Sequence, residues 1–447
     1  MGKLLLAISH PDRLYRAWQT VQAQVRRTVW PQLAAERDQI DRAPLRALRT
    51  IQRQLRAGTY RFSPKLGYAK ARSGGSRRGI AVPCVRDRIV QRCILNALYS
   101  SDPELKACLG GLPSLLQVPT SFAGTPGRGV PEAVALVYRT IRNGARAVAY
   151  SDVKEFFPHV PRAEVIELLR SHITDTAFLN LFESSLETEI VNYSDIEEWA
   201  SLFPLNDVGV PQGSLLSVVV ANLSLRHFDQ RLNQHGLTTV RYLDDFAILA
   251  PDVSAAYAGF QAAQAELARL GMTCYAPGDG SQKAFLGPVE AGFDFLGCRV
   301  HPDGVAPARK AQRKLLAEVV ALLKSGKSQV RGFQSNSTRR RMQEAYAQTL
   351  VQIDRKVRGW GDAYRFVSNR VVFSQLDTKI SRAIDRFEGW YRRRLIEAGP
   401  PERRRMQGVA LLADTSPNKV LQSSRDLSPK EDLLARSETT ATDAEIR

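Results

Sequence analysis

Two acidic elements constrain this chain more than any other feature: Val240-Arg241-Tyr242-Leu243-Asp244-Asp245-Phe246-Ala247-Ile248-Leu249 and, upstream, Ala149-Tyr150-Ser151-Asp152-Val153-Lys154-Glu155-Phe156-Phe157. Each sets carboxylates at the end of an apolar, β-branched and aromatic run, the composition of a buried strand that opens into a cleft. Burying even one unpaired carboxylate is costly, so three that converge are tenable only with strong positive charge between them. A divalent metal ion is the expected counter-charge. Asp-Asp pairs in tight turns ordinarily cap backbone N–H groups, but a surface turn has no need of β-branched and aromatic residues on both sides.

As an enzyme site, such carboxylates suit phosphoryl or nucleotidyl transfer by two metals about 3.5–4 Å apart, one activating a hydroxyl and one stabilising the leaving pyrophosphate. Asp152 and Asp244 are the expected bridges. Asp245 is expected on the turn of a β-hairpin with arms Thr239-Val240-Arg241-Tyr242 and Phe246-Ala247-Ile248-Leu249. Between the acidic elements lies Gly209-Val210-Pro211-Gln212-Gly213-Ser214, followed by an apolar helical run to Leu223. Pro211 and Gly213 shape a loop in which backbone and the Gln212 amide approach a ligand closely, and Ser214 is placed to cap the helix.

Composition narrows the partners. The 447 residues, 44% apolar and 24% charged, suffice for two or three domains, and 63 Lys+Arg against 45 Asp+Glu give a net charge of +18. That excess points to a polyanion, with nucleic acid first. Cys84, Cys93, Cys108, Cys274 and Cys298 form no CxxC pair, which argues against a zinc ribbon or a disulfide framework and for reduced thiols. Leu4 to Ile8 is too short for a signal-peptide core, and no stretch approaches the roughly 18 apolar residues of a membrane span. No membrane association and a cytoplasmic, bacterial setting are expected.

Residues 12 to 58 read as amphipathic and helical, with Leu14, Trp18, Val21 and Val25 at helical spacing. From Tyr60 to Pro83 two short strands joined at Gly74-Gly75 are expected, then a helix from about Arg86. Strand and helix alternate to about residue 300. Beyond Val305 the chain is helical and basic, and from about residue 408 it is polar, with no packed core expected.

Asp152 to Phe157, Pro211-Gln212-Gly213 and Tyr242-Leu243-Asp244-Asp245 resemble the three central motifs of reverse transcriptases, in the family's order. The likeness extends toward the bacterial group II intron-like branch. Arg78-Gly79-Ile80-Ala81-Val82-Pro83 and Asp87-Arg88-Ile89-Val90-Gln91 resemble its fingers, Phe122 to Arg128 its pre-palm segment, Phe293-Asp294-Phe295-Leu296-Gly297 its late palm strand, and Arg358 to Tyr364 its thumb. The resemblance covers roughly residues 45 to 370.

It implies an α+β right-hand polymerase: a helical extension (1–58), fingers (59–145), a palm of antiparallel sheet packed on helices (146–304), a helical thumb (305–405) and a polar tail (406–447). The implied activity is RNA-directed DNA synthesis with two Mg2+ ions, Mn2+ being a possible substitute, held by Asp152, the Val153 carbonyl, Asp244 and, less directly, Asp245. Phe157 would exclude a 2′-hydroxyl, and Gln212 would contact the incoming nucleotide. Arg78 and one of Lys70 or Arg72 would hold its triphosphate, with Lys283 near the pyrophosphate. Arg128, Tyr242, Gly213, Arg358 and Trp360 would meet nucleic acid. The implied partners are an RNA template, a DNA primer or cDNA, deoxynucleoside triphosphates and a dedicated structured RNA.

Pro158 stands where intron-type enzymes usually carry aspartate, Leu243 replaces a small alanine, and no histidine follows His301 where an intron nuclease would need metal ligands. These departures point to a domesticated relative in phage defence or DNA repair. Two other readings remain: a template-flexible DNA polymerase, and a non-catalytic RNA-binding, splicing-assistance protein, against which the intact Asp152 and Asp244 count.

Overall fold

The computed structural model describes residues 2–414 apart from Arg27, residues 72–74, Ser76, residues 205–207, His235, residues 281–282 and residues 334–340. Arg72 and the tail beyond Asp414 lie outside the described residues. The architecture is α+β with antiparallel sheets, as expected. The chain divides into a unit ending at Ala306 and a second beginning at Pro307.

In the first unit, β1 (Leu66–Ala71) and β2 (Arg77–Val82) form an antiparallel hairpin. Gly75, in its connection, has φ +85°, the left-handed region where glycine is at home. A four-stranded sheet has the order β4-β5-β3-β6, built from β3 (Ala147–Asp152), β4 (Thr238–Tyr242), β5 (Asp245–Ala250) and β6 (Phe285–Pro288). Its central strands β3 and β5 are almost wholly buried, which is why they read as continuous apolar runs. β7 (Phe293–Phe295), β8 (Cys298–His301) and β9 (Gly304–Pro307) make a separate three-stranded sheet, so the Phe293 strand expected in the palm lies outside the four-stranded one.

One core unites the N-terminal helices, the helices after the hairpin and the four-stranded sheet. At its centre helix Val85–Leu98 buries Ile89, Val90, Ile94 and Leu98 together with the polar Asp87 and Gln91, so it is covered all round rather than on one face. Asp87 accepts from the Tyr60 hydroxyl (2.7 Å) and the Ser63 N–H (2.8 Å), tying the entry to β1 down onto this helix. All five cysteines are free thiols. No described helix is long and apolar enough to cross a membrane.

The second unit is helical. Arg309–Gly332, Arg341–Ala363 and Val371–Glu397 pack through Leu315, Val319, Leu323, Ile353, Leu376, Ile380 and Phe387.

Candidate active site

The site grows from strand register. β3 and β5 pair antiparallel with Asp152 opposite Asp245, and β4 and β5 pair with Tyr242 opposite Asp245. Residues directly opposite in an antiparallel pair share a face, so the two carboxylates project together. This corrects the expected hairpin: Asp245 is the first residue of β5, and the connection is Leu243-Asp244. Leu243 sits at φ +58°, a left-handed conformation that favours Gly or Asn. The turn is fastened to β3, because the Val153 N–H donates to the Asp244 carbonyl at 3.0 Å. On its other side the end of β3 is held by Thr273 to Tyr275: the Lys154 N–H donates to the Thr273 carbonyl (2.7 Å) and the Tyr275 N–H to the Asp152 carbonyl (3.2 Å).

Electrostatics follow from that crowding. Burial, then the charges of Asp244 and Asp152, push the Asp245 carboxyl up to about 7, and Lys283 opposes the shift only in part. The Lys283 ammonium stands 2.8 Å from Asp152 Oδ2 and 3.2 Å from Tyr275 Oη, with the Tyr275 ring centroid 4.3 Å away. Burial lowers its pKa, but the bonds to Asp152 and Tyr275 outweigh that and hold it above the usual lysine value. Lys154 lies 4.9 Å from the same ring centroid. The Lys283 ammonium is thus paired with Asp152 and its charge is felt at Asp245. Among the described residues no group of three or more His, Cys, Asp or Glu side chains is gathered closely enough to hold a metal ion by itself.

Beside the acids, Glu155 at φ +47° turns the chain out of β3 into the short helix Phe156–His159. Phe157 is half-buried, edge-on to Phe156 with ring centroids 5.7 Å apart. Its carbonyl accepts from the Val210 N–H (2.9 Å) and the Val160 carbonyl from the Gly209 N–H (2.8 Å), so the Phe157 segment is fastened to the start of the Gln212 loop. The Gln212 carbonyl accepts from the Ala81 N–H of β2 at 2.7 Å. Ser214 caps helix Leu215–Ser224 as expected, accepting from the Leu216 N–H.

Gly213 is required by close approach. It has φ +123°, and a Cβ there would lie 2.4 Å from the Ala81 carbonyl oxygen. Gly213→Ala is therefore expected to push the loop off β2 and raise the KM for nucleotide about tenfold or more, as misplacement near an angstrom does. Steady-state kinetics with folding checked by circular dichroism would test this; an unchanged KM would refute it.

On the hairpin, Lys70 and Arg78 are register partners and share a face, whereas Arg77 takes the other face, over the Trp199 ring at 4.5 Å and bonded to the Ala69 carbonyl. Like charges directly opposite are destabilising unless an anion joins them. Arg128 braces a loop, donating to the carbonyls of Val118 (2.6 Å) and Ser121 (3.5 Å). Arg358 and Trp360 belong to the second unit. Arg358 is exposed and paired with Asp354 at 2.8 Å, and Trp360 packs on Tyr364 and Phe373.

Two features escaped the sequence reading. Tyr275 carries no motif and shows itself only as the ring between two lysines. Residues 187–203 fold over the outer face of the hairpin, with Ile196, Leu202 and Phe203 packed on Ala81, and the Lys65 ammonium donating to the Glu187 carbonyl. Gly67 and Gly79 make room for that cover, since a Cβ at either would meet Ile196 or the Leu202 carbonyl below 3 Å.

The chain is similar to Protein YkfC of Escherichia coli (strain K12), 26% identical over 43% of this chain and 46% of the relative. It is also similar to the "Uncharacterized 91 kDa protein in cob intron" of Schizosaccharomyces pombe, 24% identical over 43% and 22%. It thus spans less than half the length of either. Among solved structures, a partial Cas6-RT-Cas1–Cas2 complex aligns over 58% of this chain and 41% of that one, at 25% identity and a TM-score of 0.33. The family model described as reverse transcriptase (RNA-dependent DNA polymerase) matches residues 68–276. All three acids, Phe157 and the Gln212 loop lie inside that match.

Proposed function

We propose that this protein synthesises DNA on an RNA template by metal-dependent nucleotidyl transfer. The observation that carries the reading is the register that sets Asp152 beside Asp245 at the Asp244 turn, with the Lys283 ammonium already drawn to them. Two divalent ions, Mg2+ or Mn2+ in its place, would be held by Asp152, Asp244 and the Val153 carbonyl and would activate the primer hydroxyl and neutralise the pyrophosphate.

The chain's own groups do the rest. Lys70 and Arg78 form a two-cation face for the triphosphate. Lys283 exchanges Asp152 for a phosphate oxygen when nucleotide arrives, and Gln212 lines the nucleotide's seat on the loop anchored to β2. Phe157, locked to that loop, stands under the sugar. Asp245, held near neutral, limits the negative charge of the cluster. Residues 59–145 then act as fingers, 146–304 as palm and 305–405 as a thumb that grips the duplex with Arg358 and its neighbours. Primer extension on an RNA template with deoxynucleotides tests this directly; no Mg2+- or Mn2+-dependent extension would overturn it.

Phe157→Ala is expected to raise ribonucleotide incorporation about ten- to hundredfold, the worth of a steric fit in an apolar pocket. Single-nucleotide kinetics with paired ribo- and deoxynucleotides would show it, and unchanged discrimination would remove the gate role. Primer-template affinity should fall on the order of a hundredfold between about 50 and 200 mM salt if four phosphates are contacted. Salt-independent binding in a filter or anisotropy assay would contradict the basic-grip reading. Pro158 and Leu243 favour a host-serving role such as anti-phage defence, with a dedicated structured RNA as template in a bacterial cytoplasm. Sequencing of copurified RNA checks it, since a random mixture would favour repair or general copying.

A further inference from the structure

The largest wholly buried side chain in the described structure is a charged one, Arg241, the last residue but one of the strand that leads to the acidic turn. Its side chain is 1% exposed and that of its partner Asp229 0% exposed. The guanidinium grips Asp229 with two bonds, Nε to Oδ1 at 2.7 Å and Nη2 to Oδ2 at 2.6 Å. The remaining nitrogen, Nη1, donates to Asn222 Oδ1 at 3.0 Å and to the Leu243 carbonyl at 3.1 Å. Asn222 in turn donates to the Ala123 carbonyl at 2.8 Å. The Arg241 backbone is bound as well, its N–H to the Thr120 carbonyl (2.9 Å) and its carbonyl to the Phe122 N–H (3.0 Å).

An ion pair in this setting adds little stability over apolar residues of the same volume, so fold stability alone does not account for it. What it supplies is geometry. Leu243 is one of three described non-glycine residues with positive φ, and it precedes Asp244 directly. The Nη1 bond fixes the carbonyl that Leu243 presents in that unfavourable conformation, and so fixes the peptide carrying Asp244. Asn222 lies on helix Leu215–Ser224, which Ser214 caps at the end of the Gln212 loop. One guanidinium thereby joins the acidic turn, the nucleotide-loop helix and the segment 120–123.

We infer that Arg241, held by Asp229 and Asn222, is a positioning residue that sets the Asp244 carboxylate for the cation. The inference rests on the metal-dependent reading of the site, and binding of Mn2+ alone, followed by electron paramagnetic resonance, tests it without turnover. Arg241→Lys keeps the charge against Asp229 but cannot reach the Asn222 and Leu243 oxygens in the same fork. The double change Arg241→Met with Asp229→Leu removes both charges at similar volume. Each is expected to weaken Mn2+ binding about ten- to hundredfold and to lower kcat similarly with the nucleotide KM nearly unchanged, as loss of a partner behind a ligand does. Asn222→Ala leaves the ion pair whole and serves if the others do not fold; it should weaken Mn2+ binding several-fold.

Wild-type Mn2+ affinity in the folded variants overturns the inference while leaving polymerase activity intact. Full affinity retained by Arg241→Lys alone also overturns it, since charge rather than placement would then suffice. A wild-type chain that binds Mn2+, loses that binding on Arg241→Lys and incorporates no nucleotide supports the inference and overturns the polymerase reading. A wild-type chain that binds no Mn2+ overturns both.

Discussion

Replacing Asp244 and Asp245 together with alanine is expected to abolish deoxynucleotide incorporation on a primed RNA template. The loss should reach about three orders of magnitude or more, because charge stabilisation by a held metal is worth several kcal/mol and each ~1.4 kcal/mol is a factor of ten. The fold is expected to survive. The Asp244 carbonyl that accepts from the Val153 N–H is untouched by the substitution, and Asp245 is a carboxyl whose burial and acidic neighbours already oppose its ionisation. The variant should therefore melt no lower than the wild type at neutral pH without metal, which separates lost chemistry from lost structure. Asp152→Asn is expected to be equally inactive and also to release the Lys283 ammonium from its 2.8 Å contact. Even a tenth of the activity in the folded double variant would remove Asp244 from the chemistry.

The acids were legible because burial shows in sequence. An apolar, β-branched run that stops at a carboxylate has few structural uses, and the register of β3 and β5 brings two such ends together. Tertiary detail was less visible. Asp245 was expected on a turn because the usual two-residue hairpin signal is Asn-Gly or Asp-Gly; here Leu243 takes the left-handed position, and only the bond from Arg241 shows how it is held there. Arg241 itself read as one more basic residue among many, because its partner Asp229 becomes its neighbour only when β4 folds back on helix Arg226–Arg231. The signal that would have found it is an arginine inside a β-branched strand, between Val240 and Tyr242, just before the acidic turn. Spacing leaves Lys70 and Arg72 as alternatives beside Arg78, and Arg72 lies outside the described residues; the pleat sets Lys70 opposite Arg78 on one face and gives Arg77 on the other to Trp199. The cover formed by residues 187–203 left no periodic trace, since it is made of short 3-10 turns and single bridges.

A second large effect lies in the coupling of pH, metal and stability. Asp245 titrates at about 7 in the fold, against 3.8 for the unperturbed side chain. The folded state therefore binds this proton more tightly than the unfolded chain, and stability must fall as pH rises through that interval. The stabilisation is full below about pH 4, is lost progressively up to about pH 7 and is flat above it. A rise from 3.8 to about 7 corresponds to about 4 kcal/mol, and the part of Asp245 still open to solvent trims this to roughly 2–3 kcal/mol. Metal-free protein should accordingly be less stable at about pH 8 than at about pH 5 by that amount, beyond the slope contributed by other groups. Asp245→Asn isolates the effect, because it cannot ionise and should lack this part of the slope, melting above the wild type on the alkaline side. Mg2+ or Mn2+ should reverse the order, stabilising the wild type most where Asp245 is ionised and the asparagine variant less, as binding to the folded state alone requires. Urea unfolding of both proteins across this range, with chelator and with metal, measures every term. Parallel pH profiles for the two proteins without metal would refute the placement of Asp245 among the converging carboxylates.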